Sequence, residues 1–267
     1  MSGRLAAGPE KLRSALELGD DHIEYGSYAL GRLSAGTVWA ISVGADSASP
    51  SLRSKGDARH PNEDALLAAE QGDRVLLAVA DAHFGRESSH DISRELASRL
   101  PPIPAAPDAL AALLRRLSPG LPPSGSASQT CLLIAVYDRA TRQGFGLSFG
   151  DSTFAIVGAG GHRQPIARRR SHYVSSAGPG SLNPAVADTF VFAASRGDLL
   201  LAYTDGIDEC HYGEPETSVT PRIMADLWRT AGNEPEAYVR HVVELALAGV
   251  DGHPGGQDNL AVVAARA

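Results

Sequence analysis

Residues Val75 to Ala80 form an unbroken apolar run, V-L-L-A-V-A, that stops abruptly at Asp81-Ala82-His83-Phe84-Gly85. A short run of this kind, rich in branched residues, reads as a buried strand. Its end carries a carboxylate, a small residue and an imidazole, and a strand is a rigid mount for such groups. Two later stretches repeat the design. Leu199-Leu200-Leu201-Ala202-Tyr203 leads into Thr204-Asp205-Gly206, and Gly256-Gln257-Asp258-Asn259 opens onto Leu260-Ala261-Val262-Val263. Three aspartates at strand edges imply one shared site.

The rest of the chain supplies the layers around these strands. Strands are expected at Thr37–Val43, Ala65–Ala69, Thr130–Tyr137, Gly144–Phe149, Phe154–Val157, Thr189–Ala193 and Asn259–Ala264. Helical spacing marks Ile92, Leu96 and Leu100, then Leu110, Leu113, Leu114 and Leu117. A second helical pair is expected over Pro221–Thr230 and Tyr238–Leu247. Many strands and two pairs of helices, without βαβ alternation, predict an α+β layout with helix pairs covering mainly antiparallel sheets. Residues 1–35 read as an N-terminal extension, helical over Glu10–Leu18, ahead of one domain from 36 to 267. Residues 158–188 read as a long irregular loop, a length usually reserved for function.

Composition excludes several classes. A net charge of −7, from 31 acidic and 24 basic residues, leaves no electrostatic footprint for nucleic acid. No apolar stretch is long enough to span a bilayer, and the N-terminus lacks the apolar core of a secretory signal. Two cysteines make no disulfide framework; Cys131, in an apolar run, is expected to be a small buried hydrophobe. The expectation is a cytoplasmic monomer with no membrane or nucleic-acid partner.

Glu63, Asp64, Asp81, Asp151, Asp205, Asp208, Glu209 and Asp258 all fall at strand ends or turns. Singly, each fits a turn former or helix cap. Together, converging carboxylates would repel one another unless cations held them. Oxygen ligands suit Mg2+ or Mn2+ better than Zn2+. Metal-activated water then makes a phosphoryl group the plausible reactant, and Arg59 is the candidate to grip its oxygens.

The ordered set Arg59-x-x-x-Glu63-Asp64, Asp81-Ala82-His83-Phe84-Gly85, Gly150-Asp151-Ser152, Thr204-Asp205-Gly206-Ile207-Asp208-Glu209 and Gly256-Gln257-Asp258-Asn259 resembles the PP2C, or PPM, family of metal-dependent protein serine/threonine phosphatases. The resemblance covers residues 59–261. It implies a four-layer α-β-β-α sandwich with two central antiparallel sheets, and hydrolysis of phosphoserine and phosphothreonine in proteins by a water bridging two Mn2+ or Mg2+ ions. By position it implies that Asp81 bridges both ions, the Ala82 carbonyl binds the second, and Asp205 and Asp258 complete the first. Glu63 and Asp64 would act through coordinated waters, Asp151 with Asp205 at a third ion, Arg59 on the phosphate, and His83 as general acid.

Three departures qualify the match. Ala82 stands where the family has glycine, where a glycine-only backbone angle would be lost. Phe84 puts a ring beside the cleft, and Ala261 replaces the usual threonine. They keep open a pseudophosphatase that binds or senses phosphoproteins without turnover, and a structural domain whose acidic turns are incidental. Arg168, Arg169 and Arg170, in the most basic segment, are expected to draw in phosphorylated or acidic segments of protein substrates, in opposition to a serine/threonine kinase.

Overall fold

The computed structural model describes residues 11–117, 128–164, 173–175 and 182–267. One antiparallel sheet runs in the order β1 (Arg13–Leu18), β4 (Asp64–Gln71), β5 (Arg74–His83), β6 (Gln129–Asp138), β7 (Gln143–Phe149) and β11 (Asp188–Ala193), with β10 (Val174–Ser175) beside the start of β6. The other runs β2 (Ala29–Ser34), β3 (Thr37–Ser42), β13 (Leu260–Arg266), β12 (Leu199–Tyr203), β8 (Thr153–Gly158) and β9 (Gly161–Arg163). Helices α2 (Glu87–Arg99) and α3 (Pro107–Leu117) cover the first sheet, and α4 (Pro221–Thr230) and α5 (Pro235–Ala248) cover the second. A single short helix, α1 (Pro50–Arg53), interrupts the loop before β4. The expected α-β-β-α sandwich is the observed one.

The central strands read as continuous apolar runs because both of their faces are buried. On β5, Leu76, Ala78 and Ala80 meet the helices, while Val75, Leu77 and Val79 pack between the sheets. Side chains alternate across a strand, so Asp81 continues the inter-sheet row. The same parity puts Asp64 in line with Leu66 and Ala68, Cys131 with Leu133 and Ala135, and Thr204 with Leu200 and Ala202. One end of the inter-sheet core therefore turns polar. A one-residue slip in register would send these groups into the helix layers instead.

Two expectations change. Glu10–Leu18 is not helical where described: Arg13–Leu18 is strand β1, paired in register with Ala65–Glu70. Leu12 and Leu16, four apart, fit a helical face, but an even spacing also fits one face of a strand. Both pack against the core beneath α2 and α3, and sheet pairing decides the outcome. The segment set apart as an extension thus gives each sheet an outer strand, β1 and β2, and the expected boundary at 36 falls in the β2–β3 hairpin turn. The stretch 158–188, expected to be irregular, contains β9 and β10 among its described residues. No helix among the described residues is long and apolar enough to cross a membrane.

Roughly 20 Å along β4 from Asp64, Glu70 locks the opposite end. Its Oε2 accepts from Arg13 Nη2 (2.6 Å), and its Oε1 accepts from Thr37 Oγ1 (2.7 Å), Arg139 Nη2 (2.9 Å) and Ser34 Oγ (2.9 Å). One carboxylate thereby joins β1 and β4 of one sheet to the β2–β3 hairpin of the other. Burial alone would raise its pKa, but the bonds from Thr37, Arg139 and Ser34 outweigh that and hold it below its ordinary value. Its contribution is therefore complete above the ordinary carboxylate range and fades as pH falls through the lowered value. Glu70→Gln should cost about 1–3 kcal/mol near neutral pH. Urea unfolding should show that deficit shrinking from about pH 6 to about pH 3; a deficit that stays constant would assign the effect to packing.

Candidate metal centre

The polar end of the inter-sheet core is built on register. Asp64 on β4 lies directly opposite Asp81 on β5, and Asp81 lies opposite Cys131 on β6. Glu63 precedes β4, Asp151 sits in the β7–β8 turn, Asp205 follows β12 and Asp258 precedes β13. Glu63, Asp205, Asp258 and Asp151 line a cavity of about 300 Å³ together with Lys55, His83, Phe84, Glu209 and Tyr212. Glu63, Asp64, Asp81, Asp151 and Asp258 are buried, and Asp205 is half-buried.

A shell of hydrogen bonds holds the carboxylates in place. Glu63 Oε1 accepts from the backbone N–H groups of Gly56 and Gly85, each at 2.8 Å. Asn259 Oδ1 accepts from Glu63 N (2.9 Å), while its amide donates to Val43 O (3.0 Å). Thr204 Oγ1 donates to Asp64 Oδ2 (2.7 Å) and accepts from Ala261 N (2.8 Å). At Ala261, where the family's threonine is absent, the backbone is thus still tied to the site. Gly56 is required by close approach, since a Cβ there would lie 2.7 Å from Gly85 N.

Electrostatics at this end is strained by repulsion and burial. Asp64 is pushed up to about 8 by burial, with Asp258 and Asp205 adding to it against Lys55 and Thr204. Asp81 is raised by burial and by Asp64, and Glu63 by burial. Glu63 Oε2, Asp64 Oδ1 and Asp81 Oδ2 are buried with no hydrogen-bond partner among the described residues. Buried carboxylate oxygens left in this state are costly unless a cation meets them. The donor set therefore fits a divalent ion. Asp81, His83, Cys131 and Asp151 bring one ligand atom each within 4.8 Å of one another.

The sequence-predicted residues do not all converge. Asp81, Glu63, Asp64, Asp151, Asp205, Asp258 and His83 do; Ala82 lies within β5 beside them. Arg59 is exposed, its backbone N–H bonded to Asp57 Oδ1, and it does not line the cavity. Among the described residues the cation lining the cavity is Lys55, its Nζ 3.0 Å from Asp258 Oδ1 and 3.9 Å from Glu63 Oε2. Motif spacing pointed at the arginine because a loop conformation cannot be read from spacing. Arg168, Arg169 and Arg170 lie outside the described residues. Cys131 is buried but is no inert hydrophobe: its Sγ donates to Asp151 Oδ1 at 2.8 Å. Burial, Asp81 and Asp151 all raise its pKa. Strand register, invisible in one sequence, brings it there.

The backbone penalty expected at Ala82 is absent, since that residue is extended in β5. The left-handed angle falls two residues later, at Phe84 (φ 64°), whose ring is 64% exposed. His83 packs edge-on against Tyr173, with ring centroids 5.2 Å apart, and burial followed by the Lys55 charge lowers its pKa.

The family model for SpoIIE, stage II sporulation protein E, matches residues 71–267. The chain belongs to this PP2C-type phosphatase family. Among solved structures, a variant of a bacterial serine phosphatase superposes with TM-score 0.63 at 18% identity, covering 87% of this chain and 98% of its own. The catalytic domain of the serine/threonine phosphatase PstP with two manganese ions gives 0.58 at 19%, covering 96% and 99%. RsbX with magnesium gives 0.57 at 12%, covering 90% and 99%. At these identities the likeness establishes the PP2C fold. No curated protein sequence matches the chain significantly.

Because the Phe84 ring is mostly in solvent, its removal forfeits little burial while relieving a left-handed backbone. Phe84→Gly should therefore raise stability by about 1 kcal/mol. A drop in the thermal midpoint would show that the ring makes contacts worth more than the strain.

Proposed function

We propose that this member of the family hydrolyses phosphoserine and phosphothreonine in proteins, using Mn2+ or Mg2+ in the acidic cleft. The observation that carries the reading is the convergence of Glu63 Oε2, Asp64 Oδ1 and Asp81 Oδ2, buried without hydrogen-bond partners, beside Asp205 and Asp258. Asp81, Asp205 and Asp258, with the Ala82 carbonyl, would hold two ions, Glu63 and Asp64 would support them through water, and Asp151 would serve a third. Bound divalent ions supply a nucleophilic water at neutral pH and offset phosphate charge.

The chain's own groups do the rest. The β4–β5 pair fixes its two carboxylates before substrate arrives, so little reorganisation is needed. Arg59, exposed on the loop that also carries Lys55, would take the phosphate oxygens, and His83 would give a proton to the leaving oxygen. Arg168, Arg169 and Arg170 attract the acidic or phosphorylated segment around the target residue. The working form is a cytoplasmic monomer acting on phosphoproteins and opposing a serine/threonine kinase. One observation favours the second reading, a pseudophosphatase: a lysine ammonium already stands among the carboxylates.

Hydrolysis of p-nitrophenyl phosphate with Mn2+ separates the readings. Activity should vanish with chelator and fall about a hundredfold or more in Asp205→Asn. Turnover indifferent to both would sink the metal assignment, and metal binding without turnover would establish the pseudophosphatase. Replacing Arg168, Arg169 and Arg170 by alanine should raise KM for a phosphoprotein and leave p-nitrophenyl phosphate unchanged. An equal rise for both substrates would refute docking.

A further inference from the structure

We infer that Lys55 is a resident counter-cation of the acidic cleft, whose ammonium competes with divalent metal for Asp258 and Glu63. The inference rests on the metal-dependent reading of the site and adds a regulating residue to it.

Residue choice is the first support. The chain has 24 basic residues, and only Lys11 and Lys55 are lysines. Lys11 is exposed, whereas the Lys55 side chain is 6% exposed and points into the carboxylates. A guanidinium is a broad planar fork; an ammonium is a compact point charge with three donors, closer in shape to a bare ion. In a chain that otherwise relies on arginine, lysine stands where a small cation is needed.

Placement is the second. Ser49 caps α1 by accepting from Leu52 N (3.2 Å) and donates to Gln257 O (2.7 Å). Ala45 N and Asp46 N both donate to Gly256 O, at 2.7 and 2.9 Å. The loop carrying Lys55 is thereby fastened to the strand entry that carries Asp258. On its other side, Gly56 N is held by Glu63 Oε1. Lys55 is anchored between the two carboxylates it meets.

Charge is the third. Its Nζ lies 3.0 Å from Asp258 Oδ1 and 3.9 Å from Glu63 Oε2, so an ammonium offsets part of the carboxylate charge there. One positive charge does not satisfy the cleft, since Asp64 Oδ1 and Asp81 Oδ2 remain without hydrogen-bond partners. The cleft is therefore divided. The side around Asp64 Oδ1 and Asp81 Oδ2 is left to a first ion, while the side bounded by Asp258 and Glu63 admits one only as Lys55 leaves. A dication and an ammonium a few ångströms apart repel strongly in so sheltered a place, so the second ion binds weakly in the native chain.

Calorimetric titration with Mn2+ tests this on the full chain, comparing native protein with Lys55→Gln and Lys55→Met. Either variant should bind its weaker Mn2+ about tenfold or more tightly. The metal-free variants should melt at lower temperature than the parent and recover when Mn2+ is added. A purely structural lysine would leave them destabilised in both states. Should the variants fail to fold, the native protein still answers through lysine acylation read by mass spectrometry. Lys55 should be protected without metal and become reactive as Mn2+ saturates, with Lys11 as an unchanging internal reference. If affinity is unchanged or weaker in the variants, or Lys55 stays protected in Mn2+, the inference falls while a metal-dependent enzyme stands. If no form binds Mn2+, both fall, and calorimetry alone shows which case applies.

Discussion

Two aspartates face each other across adjacent central strands, and the rest of the molecule has to accommodate that fact. Asp64 and Asp81 are direct partners in the β4–β5 ladder, a pairing that places side chains of like charge about 5 Å apart. Neither strand can turn its aspartate away. Parity along each strand is fixed by the apolar residues that precede or follow it, and those are needed between the sheets. The ladder therefore forces the charges together, and neighbouring groups must relieve them. Thr204 donates to one, Lys55 stands among the surrounding carboxylates, and Asp64 Oδ1 and Asp81 Oδ2 have no hydrogen-bond partner among the described residues.

That constraint explains what could be read from the chain beforehand. Val75–Ala80 was legible as a buried strand because apolar side chains on both of its faces leave an unbroken run, and Asp81 stands out against it. The aspartates at 205 and 258 were legible for the same reason: each adjoins a core strand whose run ends at the charge. Strands and helix pairs in order gave an α+β layout, and the four-layer α-β-β-α arrangement came from the family resemblance. What escaped was everything set by partners distant in sequence. Leu12 and Leu16 fit two periodicities, and only the pairing of β1 with β4 chooses between them. Cys131 looks like any small apolar residue until β6 is laid beside β5. Arg59 and Lys55 share one loop, and which enters the cleft depends on hydrogen bonds to Glu63 and the 256–257 backbone, not on spacing.

The family's variations here also sort by backbone geometry. Ala82 replaces a glycine at an extended position and costs nothing in backbone terms, whereas Phe84 occupies a left-handed one. Strain of that kind persists where surrounding structure over-determines it. Here the turn is held by Gly85 N on Glu63 Oε1 and by Ser128 Oγ donating to Gly85 O.

Glu63 Oε1 gathers Gly56 from one loop and Gly85 from another, while its second oxygen faces the cleft. A single carboxyl group is thus a knot between two lips of the opening and the chamber behind them. Any rotation of Glu63 made to satisfy what enters the chamber must pull on both lips at once. The width of the mouth and the contents of the cleft are, by that one side chain, a single mechanical variable.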